Sequence, residues 1–381
     1  MRILMLSHSP NNPNGGASRI FHMLAGEFTA RGHEVILLHQ EDMPLPRVDK
    51  AKLAATRLWM PQSLSRAGMR SDPRSFDVIL SASGMAYPLF KALRRSGPRP
   101  ALINLVHGLS VFDHTASAAE STLRHWRTSL PYKAFTGPLP VRWDREGIRS
   151  ADRTIVQNLR DLSEARDIRG SDDAVTMIPA AVHPDLLALS SIVPPQRERI
   201  PGQMLWFGTW EARKGTHHLP RALREIRRRR PEARLVLGGT GRTTEEIRPL
   251  FAKEDQPALD VLPRISVEEQ ARIFRESSIF LFPSLSEGFG LALLEAMSFG
   301  LAAITTHTGF GADFLRDGID ARVVYPSGEH LALAATSLLE HDDERAAIAD
   351  TGRTLARSFT VERMAAAYES AFEEVVAGLK R

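Results

Sequence analysis

The sequence contains no cysteine in its 381 residues. This absence excludes disulfide bonds, a thiolate nucleophile and any cysteine-ligated zinc site. The sequence also has no apolar run approaching the roughly 18 residues that a membrane-spanning helix needs. Its first residues, MRILMLSH, form too short an apolar stretch for a secretory signal, and Pro10 and Asn11 follow where a cleavage site would be expected. We therefore expect a cytoplasmic protein that begins with a β-strand.

Charge of one sign does not dominate, since 49 Lys and Arg face 45 Asp and Glu. The excess is concentrated between positions 47 and 99, where eleven Lys or Arg stand against three Asp. This basic region suits peripheral contact with the anionic inner face of the cell membrane, and it suits an acidic soluble acceptor equally well. The apolar side chains available to meet lipid are Leu58, Trp59, Met60, Leu64 and Met69. A second basic run, 227–230, ends a helix, where cations complement the helix dipole, so we expect no nucleic-acid partner.

Short apolar runs alternate with longer amphipathic stretches, a pattern typical of parallel sheets covered by helices, and the length suits two domains. In the first half the pattern predicts strands at 2–7, 34–39, 77–81, 101–107, 153–156 and 175–178. In the second half it predicts strands at 204–207, 235–237, 260–262, 279–282, 302–305 and 322–325. We therefore predict an α/β protein with two Rossmann-like, doubly wound domains. The predicted bounds are an N-terminal domain at 1–182, a proline-rich linker at 183–203, a C-terminal domain at 204–358 and a last helix at 359–381 that crosses back to the N-terminal domain.

Ligands bind open parallel sheets beyond the carboxyl ends of the strands, where loops enter helices. After the first strand, the segment 14–19 offers Gly15 and Gly16 for close backbone approach and Arg19 for an anion. The alternative is that the glycines serve only a loop that needs positive φ and that Arg19 is a surface arginine. His107 ends a buried strand and can exchange hydrogen bonds with a substrate hydroxyl, although a lone histidine is more often purely structural.

The second half has a basic loop after its first strand, with Arg213 and Lys214 at the start of a helix. Cations are unfavourable beside a helix N-terminus, so a bound anion would explain them, and a solvated basic turn is the alternative. After the next strand, the loop 238–241 is glycine-rich, but it lacks the full dinucleotide-binding spacing and is weak support for a dehydrogenase.

The most informative stretch is PSLSEGFGLALLEA at 283–296, where Glu287 and Glu295 stand eight residues apart. A helix that starts near Gly290 puts Glu295 about 7.5 Å along the axis, while Glu287 stays beside the free N–H groups. One loop and helix can then contact a sugar, a diphosphate and a ribose. The alternative without a ligand is that Glu287 caps the helix and Glu295 pairs with a surface cation. The acid and nucleophile of a glycoside hydrolase are disfavoured, because such carboxylates usually come from separate elements.

Taken together, these motifs resemble glycosyltransferase family 4, the retaining transferases of GT-B fold, over nearly the whole chain. The stretch from Glu287 to Glu295 matches the family's E-x7-E element at both ends. Gly15 and Gly16 match its amino-terminal glycine loop, and His107 matches its cleft histidine. Arg213-Lys214-Gly215 matches the basic element of its second domain. The resemblance implies two Rossmann-like domains that face a cleft, with the N-terminal domain at 1–182 binding the acceptor and the C-terminal domain at 204–358 binding the nucleotide-sugar donor.

The resemblance also implies residue roles. Arg213 and Lys214 would bind the donor diphosphate, Glu295 the ribose, and Glu287 with the backbone of 288–290 the transferred sugar. The implied donor-binding residues are Gly15, Gly16, Gly208, Arg213, Lys214, Gly239, Arg264, Glu287, Gly288, Phe289, Gly290, Leu291 and Glu295. The implied catalytic residues are His107, Glu287, Arg213 and Lys214. The implied acceptor contacts are Arg19 and His107.

The expected reaction moves a hexose-type sugar from a UDP- or GDP-sugar to a lipid-linked glycan or a small molecule, without a cofactor. We expect no metal ion, because the two pairs of neighbouring aspartates, at 172–173 and at 342–343, do not stand at strand ends. The chain departs from the family at Gly208-Thr209, where many members have Gly-Arg. The role of that arginine would then fall to Arg213. It departs again at 309–313, so the identity of the transferred sugar stays open. One alternative is another GT-B enzyme, an epimerase or a phosphorylase. A phosphorylase would need a lysine late in the chain to bind pyridoxal phosphate, and Lys380 is poorly placed for it. The other alternative is a non-catalytic GT-B-like protein that binds a nucleotide or a membrane surface.

Overall fold

The computed structural model describes residues 1–13, 15–44, 53–95, 97–123, 125–126 and 137–380, with the side chains of 53–57 excepted. Asn14 of the predicted glycine loop and part of the basic region, 45–52, therefore lie outside the described residues. The chain divides into two compact units. The first unit comprises Met1–His114, Thr128–Ala180 and Val361–Arg381, and the second comprises Thr115–Arg127 and Ala181–Thr360.

The first unit is built on a six-stranded parallel sheet of order β2-β1-β3-β4-β5-β6. Its strands are β1 (Arg2–Leu6), β2 (Glu34–Leu38), β3 (Val78–Ala82), β4 (Ala101–Leu105), β5 (Arg153–Val156) and β6 (Val175–Met177). Its helices are α1 (Gly16–Ala30), α2 (Leu53–Arg70), α3 (Tyr87–Arg94), α4 (Ser110–Thr122, which ends in the second unit), α5 (Pro138–Ser150), α6 (Leu159–Arg169) and α15 (Val361–Leu379). The inner strands β3 and β4 are buried along their whole length, as expected for a sheet covered on both faces.

The last helix, α15, packs on α1 of the same unit. The rings of Phe28 and Phe372 lie 5.5 Å apart, and Phe28 belongs to the Ile20, Leu24 and Phe28 face that helical spacing predicts to be buried. At the edge of this contact, Glu369 lies 3.2 Å from Arg31 and 2.7 Å from His33. The apolar face of α1 thus completes the core of the first unit together with the carboxyl-terminal helix.

The second unit is built on another six-stranded parallel sheet, of order β12-β11-β10-β7-β8-β9. Its strands are β7 (Gln203–Phe207), β8 (Arg234–Gly238), β9 (Leu259–Leu262), β10 (Ile279–Phe282), β11 (Ala302–Thr305) and β12 (Arg322–Val323). Its helices are α7 (Pro184–Leu189), α8 (Leu219–Arg229), α9 (Thr244–Ile247), α10 (Val267–Glu276), α11 (Leu291–Ser298), α12 (Phe310–Asp313), α13 (Gly328–Glu340) and α14 (Asp342–Arg357). The strand order reverses between β7 and β10, which is where such sheets bind ligands.

The two sheets confirm the predicted fold class, and three structural details differ from the sequence predictions. The predicted strand at 101–107 ends at Leu105, so His107 stands in the following loop. The segment 183–203 is not a bare linker, because it holds α7 and a 3-10 turn, and the Arg199 guanidinium donates hydrogen bonds to three backbone carbonyls of the second unit at 2.6 to 3.1 Å. Met60 and Leu64, predicted to meet lipid, are buried in the core of the first unit.

Candidate functional site

The site in the second unit forms where the loops after β7 and β10 meet. These strands are neighbours at the reversal of strand order, so their carboxyl ends lie side by side. The amide of Leu285 donates a 2.7 Å hydrogen bond to the carbonyl of Arg213, which ties the basic loop to the loop that carries Glu287. Two segments that are about 70 residues apart in sequence thus meet at the edge of the sheet where such folds bind ligands.

Gly215 allows this close approach. It has φ +63, and a Cβ added to it would lie 1.9 Å from the carbonyl oxygen of Pro283. Real Cβ atoms do not come this near to a backbone oxygen, so any side chain at position 215 would push the two loops apart. The RKG motif contained this glycine, but the sequence offered no sign that it packs against position 283.

The charged centre of the site is an ion pair between Lys214 and Glu287. The Lys214 Nζ lies 2.6 Å from Glu287 Oε1, which also accepts a 2.6 Å hydrogen bond from the Ser284 hydroxyl. The Arg213 guanidinium lies 3.9 Å from the other carboxylate oxygen and is paired more closely with Glu211, at 3.0 Å. The Glu287 side chain is only 6% exposed. The helix-cap interpretation of Glu287 is therefore wrong, because its carboxylate is bound by cations from another loop.

Burial and charge act in opposite directions on this pair. Burial alone would raise the pKa of Glu287, but the charges of Lys214 and Arg213 and two hydrogen bonds outweigh it and hold the pKa below its usual range. Burial also lowers the pKa of Lys214, and the Glu287 carboxylate offsets part of that effect. The site thus places two cationic side chains beside the buried Glu287 carboxylate, and the more exposed Glu211 carboxylate lies 3.0 Å from Arg213.

The loop after Glu287 is held by the turn after β11. The amide of Phe310 donates a 2.6 Å hydrogen bond to the carbonyl of Phe289, and a Cβ at Gly309 would meet that same carbonyl at 2.5 Å. The Phe289 ring packs among the rings of Phe310, Phe314 and Phe359, with centroids 5.3 to 6.1 Å apart. The side chain of Phe289 is thus part of the core, so a ligand at this loop would meet its backbone and not the Phe289 ring.

Gly290 and Glu295 lie on the helix that follows this loop. Gly290 has φ +105 and caps α11, which begins at Leu291 as the sequence predicts. Glu295 is 1% exposed and accepts a 3.0 Å hydrogen bond from the Gln270 amide of α10. The alternative of a surface ion pair for Glu295 is therefore wrong. A carboxylate buried in the second turn of α11 is an expensive arrangement unless a function or a dense set of polar partners maintains it.

The other predicted donor residues of the second unit lie on the neighbouring loops. Gly208 (φ +149) directly follows β7, and its amide donates to the carbonyl of Gly238 at 3.0 Å. Gly239 (φ +67) follows β8 and packs beneath the Phe207 ring. Arg264 stands exposed in the loop after β9. All three lie at the same edge of the sheet as Glu287, because all follow the carboxyl ends of parallel strands.

The glycine loop of the first unit enters α1. Gly15 has φ −90, so it is not there to supply a positive φ, and a Cβ on Gly16 would meet no described atom within 4 Å. Arg19 is 6% exposed and lies in the first turn of α1, its amide donating to the carbonyl of Gly15 at 2.7 Å. The interpretation of Arg19 as a surface arginine is therefore wrong. The open space beside Gly16 leaves room for a ligand.

His107 follows β4 in the first unit, and its ring is held next to Phe21 at 5.9 Å between centroids. Both ring nitrogens are buried, and neither makes a hydrogen bond to any part of the chain that the structure describes. Burial, together with the nearby His8, lowers the pKa of His107 to about 3, so the ring is neutral at physiological pH. A neutral imidazole with both nitrogens unpaired is able to donate one hydrogen bond and accept another, which is what a sugar hydroxyl offers.

Two buried aspartates with no signal in the sequence hold the turn after His107. Asp144 accepts a 2.8 Å hydrogen bond from the amide of Ser110, and Asp161 accepts one of 3.2 Å from the amide of Leu109. Burial raises the pKa of each carboxyl to about 7, although these amides oppose the effect. No local motif marked either residue, because their partners lie 34 and 52 residues away in sequence.

The raised pKa of Asp144 predicts a pH-dependent stability. A carboxyl whose pKa is about 7 when folded, against an ordinary value of 3.8, binds more protons in the folded state, so stability falls as pH rises from about 4 to 7. The slope is at most about 1.4 kcal/mol per pH unit for one proton. We expect Asp144→Asn to remove this part of the slope in urea unfolding measured from about pH 4.5 to 7.5. The exposed Asp172→Asn is the control, and equal slopes in the two variants would contradict the assignment.

Two family models match the chain in succession. The model described as "Glycosyltransferase Family 4" matches residues 14–186, and "Glycosyl transferases group 1" matches residues 199–355. The first covers the glycine loop and His107, and the second covers the Lys214 and Glu287 site. The chain therefore belongs to the family 4 type of GT-B glycosyltransferases.

Individual relatives agree with this assignment. D-inositol 3-phosphate glycosyltransferase of Paenarthrobacter aurescens is 31% identical over 46% of this chain and 45% of its own length. MMP alpha-(1->4)-mannosyltransferase of Mycolicibacterium hassiacum is 23% identical over 99% of both chains. The solved sucrose-phosphate synthase of Thermosynechococcus elongatus shares the fold with a TM-score of 0.74 at 17% identity, over 99% of this chain and 100% of its own. For four curated relatives at 24% to 32% identity, the chain spans less than half of the relative's length, between 37% and 48%.

Proposed function

We propose that this protein transfers a hexose-type sugar, with retention at the anomeric carbon, from a UDP- or GDP-sugar to an acceptor hydroxyl. The observation that carries the proposal is the arrangement of Arg213 and Lys214 around Glu287 at the reversal of strand order in the second unit. Two cations at that position suit a diphosphate, and a carboxylate between them suits the hydroxyls of the sugar attached to it. The names of the relatives, glycosyl- and mannosyltransferases, support the same class of reaction.

In this reaction the bond between the anomeric carbon and the β-phosphate oxygen breaks, and negative charge develops on the leaving diphosphate. Arg213, Lys214 and the backbone N–H groups at the start of α11 stabilise that charge where it forms. The acceptor oxygen bonds to the anomeric carbon from the same face, and its proton passes to the leaving phosphate. No protein base is then needed. His107 orients the substrate through its two unpaired ring nitrogens.

The experiment that tests the proposal is a binding screen of the full chain. Thermal shift and calorimetry against UDP, GDP, ADP and their common sugar conjugates should give a specific response to one nucleotide. NMR of the products then reports the anomeric configuration. No response from demonstrably folded protein would favour the alternative of a non-catalytic GT-B-like binding protein.

We expect replacement of Glu295 by Ala to weaken donor binding by about 1.5 to 3 kcal/mol, because charge-assisted bonds to the ribose hydroxyls are lost. Calorimetry with the responding nucleotide measures the change. The matched control is Gln270→Met, which removes the same 3.0 Å hydrogen bond but leaves the carboxylate in place. Equal donor affinity in wild type and Glu295→Ala, or an equal loss in both variants, would remove Glu295 from the donor site.

We also propose that transfer needs no metal ion, because the charges of Arg213 and Lys214 can neutralise a diphosphate in place of a metal. Asp172 and Asp173 lie in an exposed turn, and Asp342 and Asp343 open α14 away from any strand end. Turnover should be undiminished in EDTA at a temperature well below unfolding. Loss of turnover that Mg²⁺ or Mn²⁺ restores would show the proposal to be mistaken.

The acceptor is proposed to bind the first unit, with Arg19 and His107 as its contacts. Leu58, Trp59 and Met69 on α2 are half exposed, which supports contact of this helix with an anionic membrane surface and hence a lipid-linked acceptor. Among the described residues, no helix combines the length and apolarity needed to cross a bilayer. Sedimentation with vesicles that contain anionic lipid at low salt tests the contact, and a protein that stays in the supernatant would leave a small soluble acceptor as the better proposal.

A further inference from the structure

A cluster of one carboxylate and two imidazoles lies in the second unit, outside the residues assigned to the donor. Glu120 Oε2 is 3.0 Å from His125 Nδ1 and 2.8 Å from His217 Nε2. One ligand atom of each residue lies within 4.8 Å of the others. The two imidazole rings are stacked, with centroids 5.3 Å apart and planes 27° from parallel. Each of these residue types is an ordinary ligand of transition metals.

The backbone fixes the positions of all three side chains. Glu120 lies in the last turn of α4, and its carbonyl accepts hydrogen bonds from the amides of His125 at 3.0 Å and Trp126 at 3.2 Å. Trp126 packs against the hydrophobic core of the second unit. His217 lies in the 3-10 turn Thr216–His218 that directly follows Gly215. Both halves of the cluster therefore belong to one unit.

The cluster is not satisfied by hydrogen bonds alone. Both nitrogens of His217 are buried and make no hydrogen bond within the described chain, because the 2.8 Å contact with Glu120 lacks hydrogen-bond alignment. An unpaired buried polar atom carries a free-energy penalty that a bound ion would remove. The Glu120 and His217 side chains are 10% and 12% exposed, whereas His125 is 49% exposed, so the cluster has an inner side and a side open to solvent.

We propose that Glu120, His125 and His217 bind a divalent transition-metal ion of the Zn²⁺ class. Two imidazoles and a carboxylate form a known zinc ligand set, with a fourth position left for water on the solvent side. Ligand atoms about 2.0 to 2.2 Å from a tetrahedral ion are about 3.3 to 3.6 Å apart, so the two contacts to Glu120 Oε2 would lengthen by less than about 1 Å. The two imidazole nitrogens, which lie within 4.8 Å of each other, would approach by at most about 1.5 Å.

The ion would join the segment 120–126 to the turn after Arg213 and Lys214. His217 is three residues from Lys214, and Gly215 stands between them. A metal that binds the folded protein and not the unfolded chain stabilises it by linkage. The proposed role is therefore to hold the turn at the end of the basic loop in place. The ion would not take part in the sugar transfer.

The test is zinc binding to the untagged, chelator-treated full chain, measured by calorimetry without any nucleotide. We expect one equivalent of Zn²⁺ to bind, Co²⁺ to give the visible absorption of a tetrahedral site, and Zn²⁺ to raise the unfolding temperature. His125→Ala, Glu120→Gln and His217→Asn should each weaken Zn²⁺ binding at least about 100-fold, since loss of an outer-shell partner alone costs about 10- to 100-fold. The exposed His341→Ala should bind like wild type.

Two results would overturn the proposal. One is a wild-type chain that binds no Zn²⁺ in the micromolar range, which would leave the cluster as a set of charge contacts around Glu120. The other is wild-type affinity in His125→Ala and Glu120→Gln, which would put the ion elsewhere. His125 is half exposed, so its substitution keeps the test valid even where His217→Asn fails to fold. None of these measurements depends on the proposed transferase activity.

Discussion

Replacement of Lys214 by Met should lower kcat by about 10²- to 10³-fold, which is the usual effect of removing one preorganised group that stabilises developing negative charge. Methionine keeps much of the apolar stem but removes the charge that lies 2.6 Å from Glu287. The affinity for the nucleoside diphosphate should fall as well. Steady-state kinetics and calorimetry with the donor measure the two effects separately.

The same substitution also leaves the buried Glu287 carboxylate with the Ser284 hydroxyl and the more distant Arg213. Breaking a buried ion pair in this way destabilises a protein by about 3 to 5 kcal/mol. The double variant Lys214→Met with Glu287→Gln should recover most of this stability, because the amide carries no charge. It should not recover turnover. A double variant that regains both would mean that Lys214 acts on folding only.

The exposed pair of Lys91 and Glu146 in the first unit is the matched control for this experiment. The Lys91 side chain is 47% exposed, so its ion pair is screened by solvent. Lys91→Met should change stability by less than about 1 kcal/mol and leave turnover unchanged. Wild-type turnover in Lys214→Met itself would remove the charge stabilisation from the proposed mechanism.

Most of the fold was predictable because buried parallel strands are marked by local composition. The strands β5, β10 and β11 begin and end where the apolar runs at 153, 279 and 302 do. The helix predicted to start near Gly290 also begins there, since Gly290 has the positive φ that ends a loop and caps α11. Features that a short window of neighbouring residues determines are the ones that were predicted correctly.

Features that depend on contacts between distant residues were not predictable. Met60 and Leu64 belong to an apolar stretch that resembles a lipid-facing surface, yet both are buried in the core, while Trp59 is half exposed. The hydrogen bonds of Asp144 and Asp161 to the turn after His107 had no local signal. Likewise, Glu120 and His217 are far apart in sequence, so their proximity appears only in the folded second unit.

The second large effect is expected at Gly215. Replacement by Ala places a Cβ at a position only 1.9 Å from the Pro283 carbonyl oxygen, in a backbone conformation with φ +63 that L-residues disfavour. The conformation alone costs about 1 to 2 kcal/mol, and forcing atoms into a packed region adds about 1 to 3 kcal/mol. We expect Gly215→Ala to be about 2 to 5 kcal/mol less stable than wild type in urea unfolding.

Gly318→Ala separates the two contributions, because Gly318 has a similar φ of +73 in the same unit and a Cβ there would meet nothing within 4 Å. This control should lose only the conformational part, about 1 to 2 kcal/mol, and should bind nucleotide like wild type. Gly215→Ala should also bind nucleotide more weakly, because the loops that bring Lys214 to Glu287 can no longer touch. Equal losses of stability in both variants, with unchanged nucleotide affinity, would mean that the close contact between positions 215 and 283 does not organise the donor site.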